Sequence, residues 1–97
     1  MDTSDTRNLI HTKLADALSP TFVDVIDQSA AHAGHAGAAS GGGHFRVLLV
    51  ADEFEGMNQV ARQRRVYEIL AEEMTARVHA LSMTCLTPSE FDDGSED

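Results

Sequence analysis

From Ser29 to Gly43 the chain contains only serine, alanine, histidine and glycine. No side chain in that stretch is large and apolar enough to build a core, and its glycines weaken any regular element. It therefore reads as a mobile loop of about fifteen residues, a length that compact domains seldom carry without a functional reason. Whatever packs must come from before residue 29 and after residue 43. Directly after it, His44 to Ala51 is the clearest strand of the chain, with Phe45, Val47 and Leu49 on one face and Arg46 on the other. Three of the five histidines and five of the seven glycines fall between His32 and Val50. The loop is built to carry imidazole.

The 97 residues fit one domain. A net charge of −9 opposes a surface devoted to phosphate backbones, which needs clustered Lys and Arg. Cys85 is the single cysteine, so no intramolecular disulfide framework is expected. Met1 to Arg7 lacks an apolar signal core, and no apolar run approaches a bilayer span. These features point to a soluble, reducing compartment such as the cytoplasm, with no membrane contact.

In chain order, residues 1–7 read as a flexible N-terminus, with Ser4 or Asp5 able to cap the helix that follows. Asn8 to Leu18 reads as that helix on the Ile10, Leu14, Leu18 stripe, with Pro20 just beyond it. Thr21 to Gln28 reads as a strand, with Val23 and Val25 opposite Phe22 and Ile26. The loop then makes a hairpin with an enlarged tip. Asp52 to Gly56 turns the chain, and Asn58 opens a helix running to about Thr75. Val66, Leu70 and Met74 form its apolar row, supported by Tyr67 and Ile69, with Glu68, Glu72 and Glu73 on its wet side.

Val78 to Leu86 is a third strand, whose alternation sets His79, Leu81, Met83 and Cys85 on one face. Thr87 caps a last helical turn, with Pro88 at its first position, Glu90 closing a capping box and Phe91 folding back on the core. Residues 92–97 read as an acidic disordered tail. The order α-β-β-α-β-α implies an α+β fold, helices on a three-stranded mixed sheet.

From residue chemistry alone, His79 reads either as a metal ligand or as a half-buried histidine on the Leu81 face. His32 and His35, two residues apart, can act singly or as a chelating pair. Cys85 lies about 20 Å along an extended strand from His79, too far to share an ion with it, and reads as a small buried hydrophobe. Arg62, Arg64 and Arg65 read as contacts for a partner's carboxylates or for nucleic acid, or else as a solvated face paired with Glu68 and Glu72. Gly41-Gly42-Gly43 has no following Lys-Ser/Thr and is no P-loop, and no serine sits in a nucleophile elbow. No enzymatic constellation emerges.

The run His44-Phe45-Arg46-Val47, then Phe54-Glu55-Gly56, Arg62-Gln63-Arg64-Arg65-Val66-Tyr67, Val78-His79-Ala80-Leu81-Ser82 and Thr87-Pro88-Ser89-Glu90-Phe91 resembles the BolA family. The resemblance extends from about Leu9 to Phe91. Gln63, Ala51 and Phe91 depart from the family's usual histidine, serine and tryptophan. It implies a class II KH-like fold and a non-enzymatic adaptor that pairs with a monothiol glutaredoxin in iron–sulfur handling or iron sensing. It also implies a [2Fe–2S] cluster shared with the glutaredoxin and glutathione, with none expected in the isolated protein. On that pattern His79 is one ligand, and His35, in preference to His32, is the loop ligand. His44 is then structural or a hydrogen-bond donor behind the ligands. A KH-type Gly-X-X-Gly clamp is missing at Phe54 to Asn58, which opposes RNA binding in that manner. The alternative function is a DNA-binding transcriptional regulator of the same family. A bare metal-binding module is a third reading.

Overall fold

The computed structural model describes residues 3–28 and 43–95. His32, His35 and the rest of the expected loop between Gln28 and Gly43 lie outside the described residues. The elements are α1 (Thr3–Leu18), β1 (Phe22–Asp27), β2 (Gly43–Val50), a 3-10 turn (Asp52–Phe54), α2 (Gln59–Ile69), α3 (Ala71–Ala76), β3 (Val78–Leu86) and α4 (Pro88–Ser95). The strands lie in the order β1-β2-β3. β1 runs antiparallel to β2 as the expected hairpin, and β3 runs parallel to β2. This is the expected α+β fold with a mixed sheet.

Alternation along β2 builds the core. Phe45, Val47 and Leu49 are fully buried on one face, where Ile10 and Leu14 of α1, Val66 of α2 and Leu70 join them in one cluster. Leu81, Met83 and Cys85 of β3 stand beside Phe45, Val47 and Leu49 in register and pack on the same cluster. Among the described residues the other face of the sheet is mostly uncovered, and they cover it at its Val50 end, where α4 stacks Phe91 on Phe22 at 5.8 Å beside an open groove of about 330 Å³. Phe91 therefore covers Val50 on the far face rather than the main core. Gly56, at φ 79°, turns the chain into α2 in a conformation that side chains seldom adopt.

Four expectations are corrected. α1 begins at Thr3, so residues 3–7 are helical rather than a flexible arm, and Ser4 and Asp5 lie inside the helix rather than capping it. Buried Thr6 and the bond from Arg7 Nε to the Val25 carbonyl (2.8 Å) fasten that first part to β1. α4 likewise continues to Ser95, through much of the expected disordered tail. The single helix expected from Asn58 to Thr75 is two, broken at Leu70 (φ −100°, ψ 18°). Finally, Tyr67 is exposed while Glu73, expected on the wet side, is only 4% exposed and paired with Lys13 of α1 at 2.8 Å. Burial of a carboxylate is tolerable because that ammonium neutralises it.

Candidate functional site

The β2–β3 register slips at the entry to the sheet. Gly43 pairs with Val78, but His44 pairs with Ala80, leaving His79 as the extra residue on β3. Such an irregularity turns a side chain away from its simple alternation. Val78 is accordingly buried, His79 and Ala80 are both exposed, and the inward series restarts at Leu81. His79 thus leaves the Leu81, Met83, Cys85 face to which strict alternation assigns it. Its ring lies beside His44, with centroids 5.1 Å apart and planes tilted by 36°.

This histidine pair stands at the end of the sheet where residues 29–42 must leave and rejoin it. Gln28 donates from its backbone N–H to the His44 carbonyl at 2.7 Å, and Gly43 N–H donates to the Arg77 carbonyl at 2.8 Å. Both anchors of the His32 and His35 segment are therefore within one or two residues of the pair. His79 is held by a strand, faces solvent and offers imidazole, a donor that iron, zinc and copper all accept. Among the described residues no group of three or more His, Cys, Asp or Glu side chains is arranged to hold a metal ion. The donor type is one that an iron–sulfur cluster can accept. Sequence alternation places His79 on the Leu81 face and reaches neither its orientation nor its neighbour. The signal available was the three-residue spacing from Val78 to Leu81, both apolar, which skips the two exposed positions between them.

Cys85 sits at the opposite end of β3, buried among apolar side chains that push its thiol up to about 11, against a smaller opposing pull from Arg62. It stays protonated at neutral pH, as a small hydrophobe should.

The arginines separate. Arg62 is corrected from a surface contact to an internal brace, 5% exposed. It donates from Nε to the Met57 carbonyl (2.9 Å) and from Nη1 to the Cys85 carbonyl (3.0 Å) and Glu90 Oε1 (2.6 Å). Its guanidinium also lies 5.8 Å from the centre of the Phe54 ring. Arg65 pairs with Glu53 across the turn at 2.7 Å rather than with Glu68 or Glu72. Arg64 is exposed and has no ion-pair partner among the described residues.

Comparison with known proteins agrees with this architecture. The family model for BolA-like protein matches residues 14–90. Mouse BolA-like protein 1 is 42% identical over 84% of this chain and 58% of its own length. The Escherichia coli DNA-binding transcriptional regulator BolA is 41% identical over 89% of this chain and 79% of its own. Among solved structures, BolA1 from Arabidopsis thaliana superposes with a TM-score of 0.75 at 42% identity, covering 87% of this chain and 93% of that one. The chain spans about three-fifths of the length of the mammalian relatives it matches (58–61%).

Proposed function

The chain belongs to the BolA-like family, and from that premise we propose that it is a non-enzymatic adaptor for a monothiol glutaredoxin, co-ligating a [2Fe–2S] cluster with it and with glutathione. The observation that carries this reading is His79: an imidazole fixed on a strand, turned to solvent by a register slip, at the root of a histidine-bearing segment. His79 supplies the rigid ligand and His35, in preference to His32, the adjustable one. Cluster ligation by imidazole in place of thiolate raises the reduction potential and makes that end of the cluster pH-sensitive. The chain's own part is to hold His79 in place and keep the approach to it open.

The test mixes the protein with a monothiol glutaredoxin, glutathione, iron and sulfide. A heterodimer is expected, with visible circular dichroism distinct from that of the glutaredoxin homodimer. His79→Ala is expected to release cluster far more readily than His32→Ala. No complex and an unchanged spectrum would overturn the proposal.

A second reading, DNA binding, is favoured by the likeness to the Escherichia coli regulator. It requires sequence-dependent affinity at physiological salt and a loss of that affinity on Arg64→Ala.

A further inference from the structure

We propose that His44 and His79 form a two-imidazole chelate for a divalent transition-metal ion of the zinc class, independent of residues 29–42 and of any glutaredoxin. Three observations converge. The rings lie on adjacent paired strands, with 5.1 Å between centroids. Zinc–nitrogen bonds of 2.0–2.1 Å put an ion about 3.2 Å from each ring centre, and a tetrahedral angle then sets the two centres about 5 Å apart. The observed 5.1 Å matches that spacing. The second observation is the slip itself, which removes His79 from the core face and sets it beside His44. The third is that both backbones are held in the sheet, so little order has to be imposed when an ion arrives.

A metal-bound imidazole uses one ring nitrogen for the ion and keeps the other for a hydrogen bond. Two protein ligands leave two positions of a tetrahedral ion for water or an added ligand. The pair is thus an open site. Imidazole suits zinc, copper and nickel, whereas calcium and magnesium prefer oxygen. The inference shares His79 with the proposed cluster site but does not depend on that reading.

The test uses zinc ion alone and the full chain carrying His32→Ala and His35→Ala, titrated by calorimetry at neutral pH. Binding of one zinc per chain is expected, with an affinity within about twofold of the unsubstituted protein. Adding His44→Ala or His79→Ala to that background is expected to weaken it at least about tenfold, with no further loss when both are combined. Far-ultraviolet circular dichroism checks that each variant folds. Zinc-induced NMR shifts of the His44 and His79 ring carbons in the unsubstituted protein provide a readout that needs no variant. Loss of zinc binding in the His32→Ala, His35→Ala protein would overturn the inference, as would undiminished binding after His44→Ala or ring carbons that do not respond. A glutaredoxin heterodimer that still assembles its cluster in any of those cases would leave the adaptor reading standing.

Discussion

Arg62 donates to two backbone carbonyls and a carboxylate while almost none of its surface meets water. Removing it takes a donor from each of the Met57 and Cys85 carbonyls, the latter still receiving Gln59 Nε2 at 3.4 Å, and leaves Glu90 without its cation. Glu90 keeps 45% of its side chain exposed, so the ion pair itself adds little, and the expected loss comes from the buried charged hydrogen bonds to the carbonyls, about 2 kcal/mol for Arg62→Ala. Arg64→Ala, on an exposed side chain with no ion pair among the described residues, should change stability by less than about 0.5 kcal/mol. Urea unfolding of the two variants beside the unsubstituted protein measures the difference. Equal midpoints would mean that Arg62 is no brace. The contrast was out of reach of sequence reasoning, since three nearly consecutive arginines on a helix look alike until Glu90, 28 residues on, is placed beside one of them. Glu73 is a parallel case, its Lys13 partner lying 60 residues away. His79 differs in kind: its chemistry was legible from the residue, but its direction depended on a register slip of one residue.

The elements best anticipated are those whose own residues settle them. The sequence predicts β3 with its observed bounds because alternation continues through Cys85, and it predicts the start of α4, though not its length, because Thr87, Pro88 and Glu90 complete a local capping motif. Thr87 N–H donates to Glu90 Oε1 at 2.9 Å, and Glu90 N–H donates to Thr87 Oγ1 at 3.2 Å. The break at Leu70 was not anticipated, because no glycine or proline marks it. The start of α1 was missed because its fastening to β1 uses Thr6 and Arg7, polar residues outside any apolar stripe. The α4 cap carries a pH dependence of definite sign. The Arg62 guanidinium first, then the Thr87 backbone N–H, hold the Glu90 carboxyl at about 2, below its ordinary 4.5. A carboxylate that ionises more readily in the fold than in the unfolded chain stabilises the fold above the ordinary value. That contribution fades as pH falls from about 4.5 toward about 2. Glu90→Gln should therefore be less stable than the unsubstituted protein at pH 7, with the gap closing progressively through that acidic window. Unfolding midpoints measured at several pH values check it; a gap that widens on acidification would reverse the assigned sign.

At the scale of the whole molecule, the arrangement of charge bears on nucleic acid. All seven Lys and Arg residues lie within the described parts of the chain. Lys13, Arg62 and Arg65 are engaged by carboxylates, and Arg7 by the Val25 carbonyl. Of the seven, Arg46 and Arg64 are the fully exposed pair. They do not share a surface. Arg46 stands on the open face of the sheet, whereas α2, which carries Arg64, packs on the other face through Val66. One duplex cannot lie against both, and the net charge of −9 repels it from either side. Each neutralised phosphate contributes about −0.9 to the slope of log affinity against log salt. A slope no steeper than about −1 is therefore expected, together with little preference among duplex sequences. Fluorescence anisotropy with several labelled duplexes between 50 and 200 mM salt measures both, and one contact corresponds to about a threefold to fourfold loss over that range. A steep slope with one preferred sequence would require a basic face that this fold does not assemble, and would favour DNA binding over the proposed adaptor role.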